Sequence, residues 1–148
     1  MTVTKTSMVD MVGFDVAGEG MVQVRIAKLT HIDDTLVERA YHRINLPPGH
    51  DIDEAMAAVN ANLADMGYSA VGEADISLIK ANADVQWTPE RIAAYQAKLE
   101  AQAAADEAAR LAAEQEAADA AAAQQAELDA QIAAAVQEAL ANQGGAGA

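Results

Sequence analysis

Hydrophobic and polar positions alternate with a period of two over most of Met8 to Leu46. Val22, Val24 and Ile26 alternate with Gln23, Arg25 and Ala27. Further on, Leu36, Ala40, Ile44 and Leu46 alternate with Val37, Arg39, Tyr41, Arg43 and Asn45. This is the spacing of half-buried strands, and the "DDT" at Asp33–Thr35 supplies turn residues between the two runs, so a β-hairpin is predicted. A register slip of one residue would exchange core and solvent faces. With a three-residue connection, Val22 faces Leu46, Val24 faces Ile44 and Ile32 faces Leu36. The opposite side then pairs Gln23 with Asn45, Arg25 with Arg43 and Ala27 with Tyr41. A two-residue loop mixes the faces and sets Lys28 opposite Arg39, so the three-residue connection is preferred, with a bulge or a left-handed residue at the turn. "MVGFDV" (Met11–Val16), closed by "GEG" at Gly18–Gly20, predicts a third antiparallel strand.

After "LPPGH" breaks the sheet, the period changes to that of a helix. Ile52, Met56, Val59, Leu63 and Met66 step 4-3-4-3 along one stripe, with Asp51 as N-cap, Glu54 in the capping-box position and Gly67 at C′. "GEADISLIKANAD" predicts a shorter helix with Ile76 and Ile79 inward, a strand at "SLI" being the alternative. "QWTPERIAAYQAKL" launches a third helix, with Thr88 as N-cap, Pro89 at N1 and Trp87 placed to staple onto Ile92. Ile92, Tyr95 and Leu99 enter the domain surface, after which large apolar residues become scarce. No helix stop precedes "NQGGAGA", so the helix is expected to run from Pro89 to Ala141, roughly 80 Å at about 1.5 Å per residue. The pattern thus predicts an α+β fold: a small antiparallel meander packed with one or two helices, then a long Ala-rich helix. The divisions are an α+β module over residues 1–87, the Ala/Glu/Gln-rich helix over 88–141 and a flexible tail over 142–148.

Composition separates the two parts. All five aromatics lie in the first 96 residues, whereas about half of Ala97–Ala141 is alanine, which buries little area. Only the first ~87 residues can build an ordinary core, and a domain of that size is marginally stable alone. The chain has no cysteine, which removes disulfides, thiol catalysis and cysteine-based zinc sites together. Added stability is expected to come from oligomerisation. The N-terminal residues lack the pattern of a secretory signal, and charges interrupt the alanine-rich region too often for a membrane span.

The net charge is −14, with 14 acids against 7 Lys and Arg in residues 1–96 and 9 against 2 in residues 97–148. Phosphate backbones and anionic membranes repel such a chain, so neither nucleic acid nor membrane is an expected partner. Against that background Arg25, Arg39, Arg43 and Tyr41 gather on one hairpin face. That face is a solvated surface whose arginines shield apolar stems, or a docking face for carboxylates of a partner.

Reactive constellations are few. "HDIDE" (His50–Glu54) puts an imidazole and three carboxylates in five residues, and a metal-dependent enzyme at His50, Asp51, Asp53 and Glu54 is one reading. Acids at a helix N-terminus, however, satisfy free N–H groups with no metal. His31 and His42 fall on opposite hairpin faces, no Ser or carboxylate is spaced for a relay, and no Gly-rich phosphate loop occurs. No cofactor and no catalytic residue is expected. In the long helix, Leu128, Ile132, Val136 and Leu140 follow at i+4 and form an apolar stripe suited to self-association, although its drift fits a heptad seam poorly. A single alanine-stabilised helix and a segment disordered until bound are the other readings.

A hairpin ending "ERAYHRINLPPGHD", then a capped helix, then "WTPERIAAYQAKLEAQ" resembles small uncharacterised proteins of tailed bacteriophages, found among tail, baseplate and fibre components. The likeness covers roughly Val22–Gln102 and leaves out the Ala/Glu/Gln extension. It implies a virion structural or assembly role, with synthesis in the host cytoplasm and other virion proteins as partners. The residue pattern adds a module with a rod, and the two together give a non-enzymatic structural protein that docks through the module and uses the long helix for oligomerisation or reach. An assembly chaperone for a tail or capsid protein is the alternative.

Overall fold

The computed structural model describes residues 1–15, 18–145 and 147 and has the order β1 (Val3–Phe14), β2 (Val22–Ile32), β3 (Thr35–Leu46), α1 (Ile52–Asp65), α2 (Glu73–Gln86) and α3 (Pro89–Gly145). The three strands form one antiparallel sheet in the order β1-β2-β3. The fold is α+β, as the pattern predicts. Two compact units are distinguished, Met1–Leu99 and Glu100–Ala148.

The first unit has a single core. Val9 from β1, Val22, Val24 and Ile26 from β2, and Leu46 from β3 pack with Ile52, Met56, Val59 and Leu63 of α1 and Ile79 and Ala83 of α2. Ile26, Met56 and Ile79 are fully buried. The helices thus cover one sheet face, which is why β2 buries alternate residues and leaves Gln23 exposed.

The register of the hairpin body is the expected one: Val22 pairs with Leu46, Val24 with Ile44, Arg25 with Arg43 and Ala27 with Tyr41. The tip is different. Asp33 and Asp34 both have positive φ, 47° and 65°, and Ile32 pairs with Thr35 and His31 with Leu36, so the connection has two residues rather than three. Two successive left-handed residues make a type I′ turn, whose twist suits a hairpin and which Asp tolerates. The odd residue is absorbed further along, at a register shift beside Thr30 that leaves Val37 without a partner. The expected Ile32–Leu36 pair therefore does not form.

β1 begins at Val3 rather than Met11, and Val16, the expected end of that strand, lies outside the described residues. Strict alternation would send Val9 and Val12 to opposite faces. A bulge between Val9 and Met11, with Asp10 as the additional residue, instead lets Val9 oppose Ile26 and Val12 oppose Val24 on the core side.

α1 follows its predicted signals. Asp51 Oδ1 accepts from the Glu54 N–H at 3.1 Å. At the other end Gly67, with φ +80°, donates to the Ala64 carbonyl and Tyr68 donates to that of Leu63, a Schellman ending. Met66 is the exception in the stripe, because it is the C-cap and is 38% exposed. Asp51→Ala is expected to cost about 1 kcal/mol, read as a lower urea midpoint for the first unit.

α2 has 14 residues, as many as α1, and buries Ile79 and Ala83 with Ile76 partly buried. The chain then turns through Trp87 and Thr88 into α3, where Thr88 Oγ1 accepts from the Arg91 N–H at 3.3 Å. Trp87 packs on the core and its indole N–H donates to the Gly20 carbonyl at 2.8 Å. Ile92 meets the "PPGH" turn, in which His50 donates to the Pro47 carbonyl and Gly49 has φ +79°. A Cβ on Gly49 would stand 3.2 Å from Ile92 Cγ2, so both the backbone and the close approach call for glycine there. The first unit extends to Leu99 and so takes in the first turns of α3.

The second unit is helix. α3 continues to Gly145 instead of ending at Ala141 and takes in the start of the expected flexible tail, of which Ala146 and Ala148 lie outside the described residues. No α3 residue is buried. Stability without a core has two local sources. Alanine has the highest helix propensity. Side-chain pairs also line the surface: Arg110 with Glu107 and Glu114, Gln115 with Asp119 at 2.8 Å, and Gln125 with Asp129 at 2.8 Å. The bond to Arg110 lowers the Glu107 carboxyl below its ordinary value and raises the guanidinium in return.

Candidate interaction surfaces

The residues singled out on the hairpin come together on the sheet face turned away from the helices. Arg25 and Arg43 are direct cross-strand partners, Tyr41 lies opposite Ala27, and Arg39 lies opposite Leu29. Two arginines side by side would repel, and the β1 bulge resolves this. Asp10 accepts from Arg25 Nε at 2.9 Å and from Nη2 at 3.0 Å, a fork-to-carboxylate pair, while the guanidinium carbon stands 4.7 Å from the centre of the Tyr41 ring. The Asp10 hydrogen bond raises the Arg25 pKa against the opposing effect of desolvation, and the attraction of Asp10 and Tyr41 adds to it. Arg25 is therefore satisfied within the chain. Arg39 and Arg43 are exposed, and no ion pair among the described residues engages them. Around them the face is apolar as well as basic, since Met8, Met11, Leu36, Val37 and Tyr41 are all exposed.

The acidic cluster divides into separate tasks. Asp51 caps α1, and Asp53 takes the Lys80 ammonium at 2.7 Å, a contact between α1 and α2. His50 closes the "PPGH" turn, and with Asp51 and Glu54 it borders a shallow cavity of about 260 Å³ completed by Tyr95 and Leu99. Among the described residues no group of three or more His, Asp or Glu side chains is placed to hold a metal ion. By strand alternation His31 and His42 lie on opposite faces of the sheet.

In the second unit Leu128, Ile132, Val136 and Leu140 are 50%, 55%, 52% and 63% exposed. Each i+4 step advances about 40° around a helix. The four side chains therefore form a broad oblique band rather than a straight seam. No helix among the described residues is long and apolar enough to cross a membrane.

A further surface is carried by α2. Ala74, Leu78, Ala81 and Val85 are all exposed, Leu78 at 57% and Val85 at 74%. They follow a 4-3-4 spacing on the side opposite Ile79 and Ala83. The signal was in the sequence as a second apolar stripe on the same helix, masked there by the stripe of Ile76 and Ile79. The unpaired edge of β3 was not signalled at all, because edge and interior strands share one alternation.

Comparison of the chain with protein-family models, with curated proteins and with solved structures gives no match.

Proposed function

We propose that this chain is a non-enzymatic structural protein that joins subunits of a larger assembly, its α+β unit docking on a neighbour and its distal helix holding copies together. The observation that carries this reading is the band of Leu128, Ile132, Val136 and Leu140, half-exposed on a helix with no buried residue. A helix already supported by alanine and side-chain pairs has no internal need of four large apolar side chains. Contiguous exposed apolar residues on a soluble surface mark a place where another molecule sits. The hairpin face with Arg39, Tyr41 and Arg43, supported by Arg25, is the docking surface, suited to a partner that presents carboxylates over an apolar patch.

The reading that this assembly is a tailed phage particle is supported by the resemblance of Val22–Gln102 to small tail, baseplate and fibre proteins. Quantitative mass spectrometry of purified particles tests this: the protein is expected at a fixed copy number per particle. Abundance in the lysate with absence from particles would instead favour an assembly chaperone for a tail or capsid protein. The chaperone would use the same surfaces transiently.

A further inference from the structure

The two edges of the sheet are treated differently. β1, an edge strand, is covered on its open side by the connection between α1 and α2 and by the first turn of α2. Ser7 N–H donates to Ser69 Oγ at 3.1 Å, Ser69 N–H donates to the Lys5 carbonyl at 3.2 Å, and Val9 N–H donates to Asp75 Oδ2 at 3.0 Å. β3 has no such cover. Among the described residues, no hydrogen bond leads from its main chain to any element but β2. Of the usual deterrents it has neither lysine nor proline between Thr35 and Leu46, its one irregularity, at Val37, leaves Glu38–Leu46 regular, and its charges, Glu38, Arg39 and Arg43, restrict which strand can pair there.

We infer that β3 pairs with β3 of a second copy of this chain, antiparallel about a two-fold axis at Ala40, joining two three-stranded sheets into one of six. Charge selects both the partner and the register. In antiparallel self-pairing about an axis normal to the sheet, directly opposed residues share a face and like charges opposite each other destabilise. A centre at Glu38, Arg39 or Arg43 opposes each of those residues to itself. A centre at Tyr41 opposes Arg39 to Arg43, and one at His42 sets Glu38 against the buried Leu46. Only the centre at Ala40 sets Glu38 opposite His42 of the second copy and Arg39 opposite its Tyr41. That gives a carboxylate facing an imidazole on one side of the sheet and a guanidinium facing an aromatic ring on the other. Glu38 lies on the same side of the sheet as Thr30 of β2, whose hydroxyl donates to its Oε2 at 3.3 Å in the single chain. The strand is thus self-complementary over Glu38–His42, whereas an arbitrary acidic peptide would leave Glu38 facing a like charge.

This contact is separate from the self-association assigned to the distal helix, and the test keeps the two apart. The chain has no cysteine, so single cysteines report proximity cleanly. Directly opposed residues in an antiparallel pair lie about 4.5–5.5 Å apart at Cα, within disulfide reach. Full-length Ala40→Cys is expected to form a disulfide-linked dimer under mild oxidation about tenfold faster than full-length Asn45→Cys, which is exposed on the same strand but off the axis. Adding Glu38→Arg should slow the Ala40→Cys reaction about tenfold, and adding His42→Glu to that pair should restore it. The Ala40→Cys dimer should persist when Ile132→Asp and Val136→Asp are introduced together. Equal rates at the two cysteine positions, failure of the charge swap to rescue, or loss of the crosslink with the helix stripe would each overturn the inference.

Discussion

Ile26→Ala is expected to lower the stability of the first unit by about 3–4 kcal/mol. Ile26 has no solvent exposure, sits in the central strand and faces Val9 on one side and His42 on the other. Its side chain belongs to the cluster that also contains Met56, Val59 and Ile79. Alanine there removes apolar contact in a layer closed above by two helices and laterally by both neighbouring strands, so the cavity has little room to collapse. A domain of this size has a total stability of roughly 5–15 kcal/mol, so the loss is a large share. Urea unfolding followed by the fluorescence of Trp87, the single tryptophan, reports this unit alone. The midpoint should fall by about 2 M, and a fall below about 0.5 M would mean that the strand is not packed as described. Far-UV circular dichroism should retain the helical signal of Glu100–Gly145 at urea concentrations where the fluorescence transition of the variant is complete, because that segment owes nothing to the core.

Ile132→Asp with Val136→Asp in the full-length chain should abolish self-association through the distal helix. The two positions are the centre of the only band of large apolar residues in the second unit, beyond Leu111. Burying an Ile or Val side chain contributes about 1.5–3 kcal/mol, and a carboxylate in the same place adds desolvation that nothing nearby offsets. Two such changes in each copy weaken even a dimer by more than about a thousandfold. Neither residue has an internal packing role, so helicity should be nearly unchanged. Light scattering should show a lower molar mass for the variant than for the parent chain at equal concentration, with equal mean residue ellipticity. The same mass in both would end the assignment of this band to self-association. A drop in ellipticity together with mass would show that the helix itself forms on assembly, the behaviour of a segment disordered until bound.

Some elements were legible because their signals are local. Asp51 and Glu54, Gly67 after the apolar stripe, and Thr88-Pro89 each mark a helix end through hydrogen bonds that reach only three or four residues along the chain. The body of the hairpin was legible because one buried face fixes register wherever Val22, Val24 and Ile44 must share a side. The tip was not, since Asp33 and Asp34 fit a two-residue turn as well as a three-residue one. What separates these is where the strand takes its bulge. The first half of β1 was missed for a related reason. "VTKTSMVD" has little apolar alternation, and its open edge is satisfied by Ser69 and Asp75, more than 60 residues away in the chain.

Of the candidate surfaces, the sequence showed which residues share a face, placing Arg25, Tyr41 and Arg43 together and Leu128–Leu140 on one band. It did not show that Asp10 would take Arg25 out of play, because that pair depends on a bulge opposite a particular residue.

The sequence by itself determined the order and kind of the elements, the inward stripe of α1, the register through the middle of the hairpin and the presence of a long helix that needs no core. These follow from periodicity, capping and propensity, which act within a turn or a strand. The tertiary structure alone decided the two bulges, the covering of β1, the exposure of β3 and the pairing of Asp10 with Arg25. Each of these depends on which distant backbone groups are brought side by side, and that is set when two helices close over one face of a three-stranded sheet.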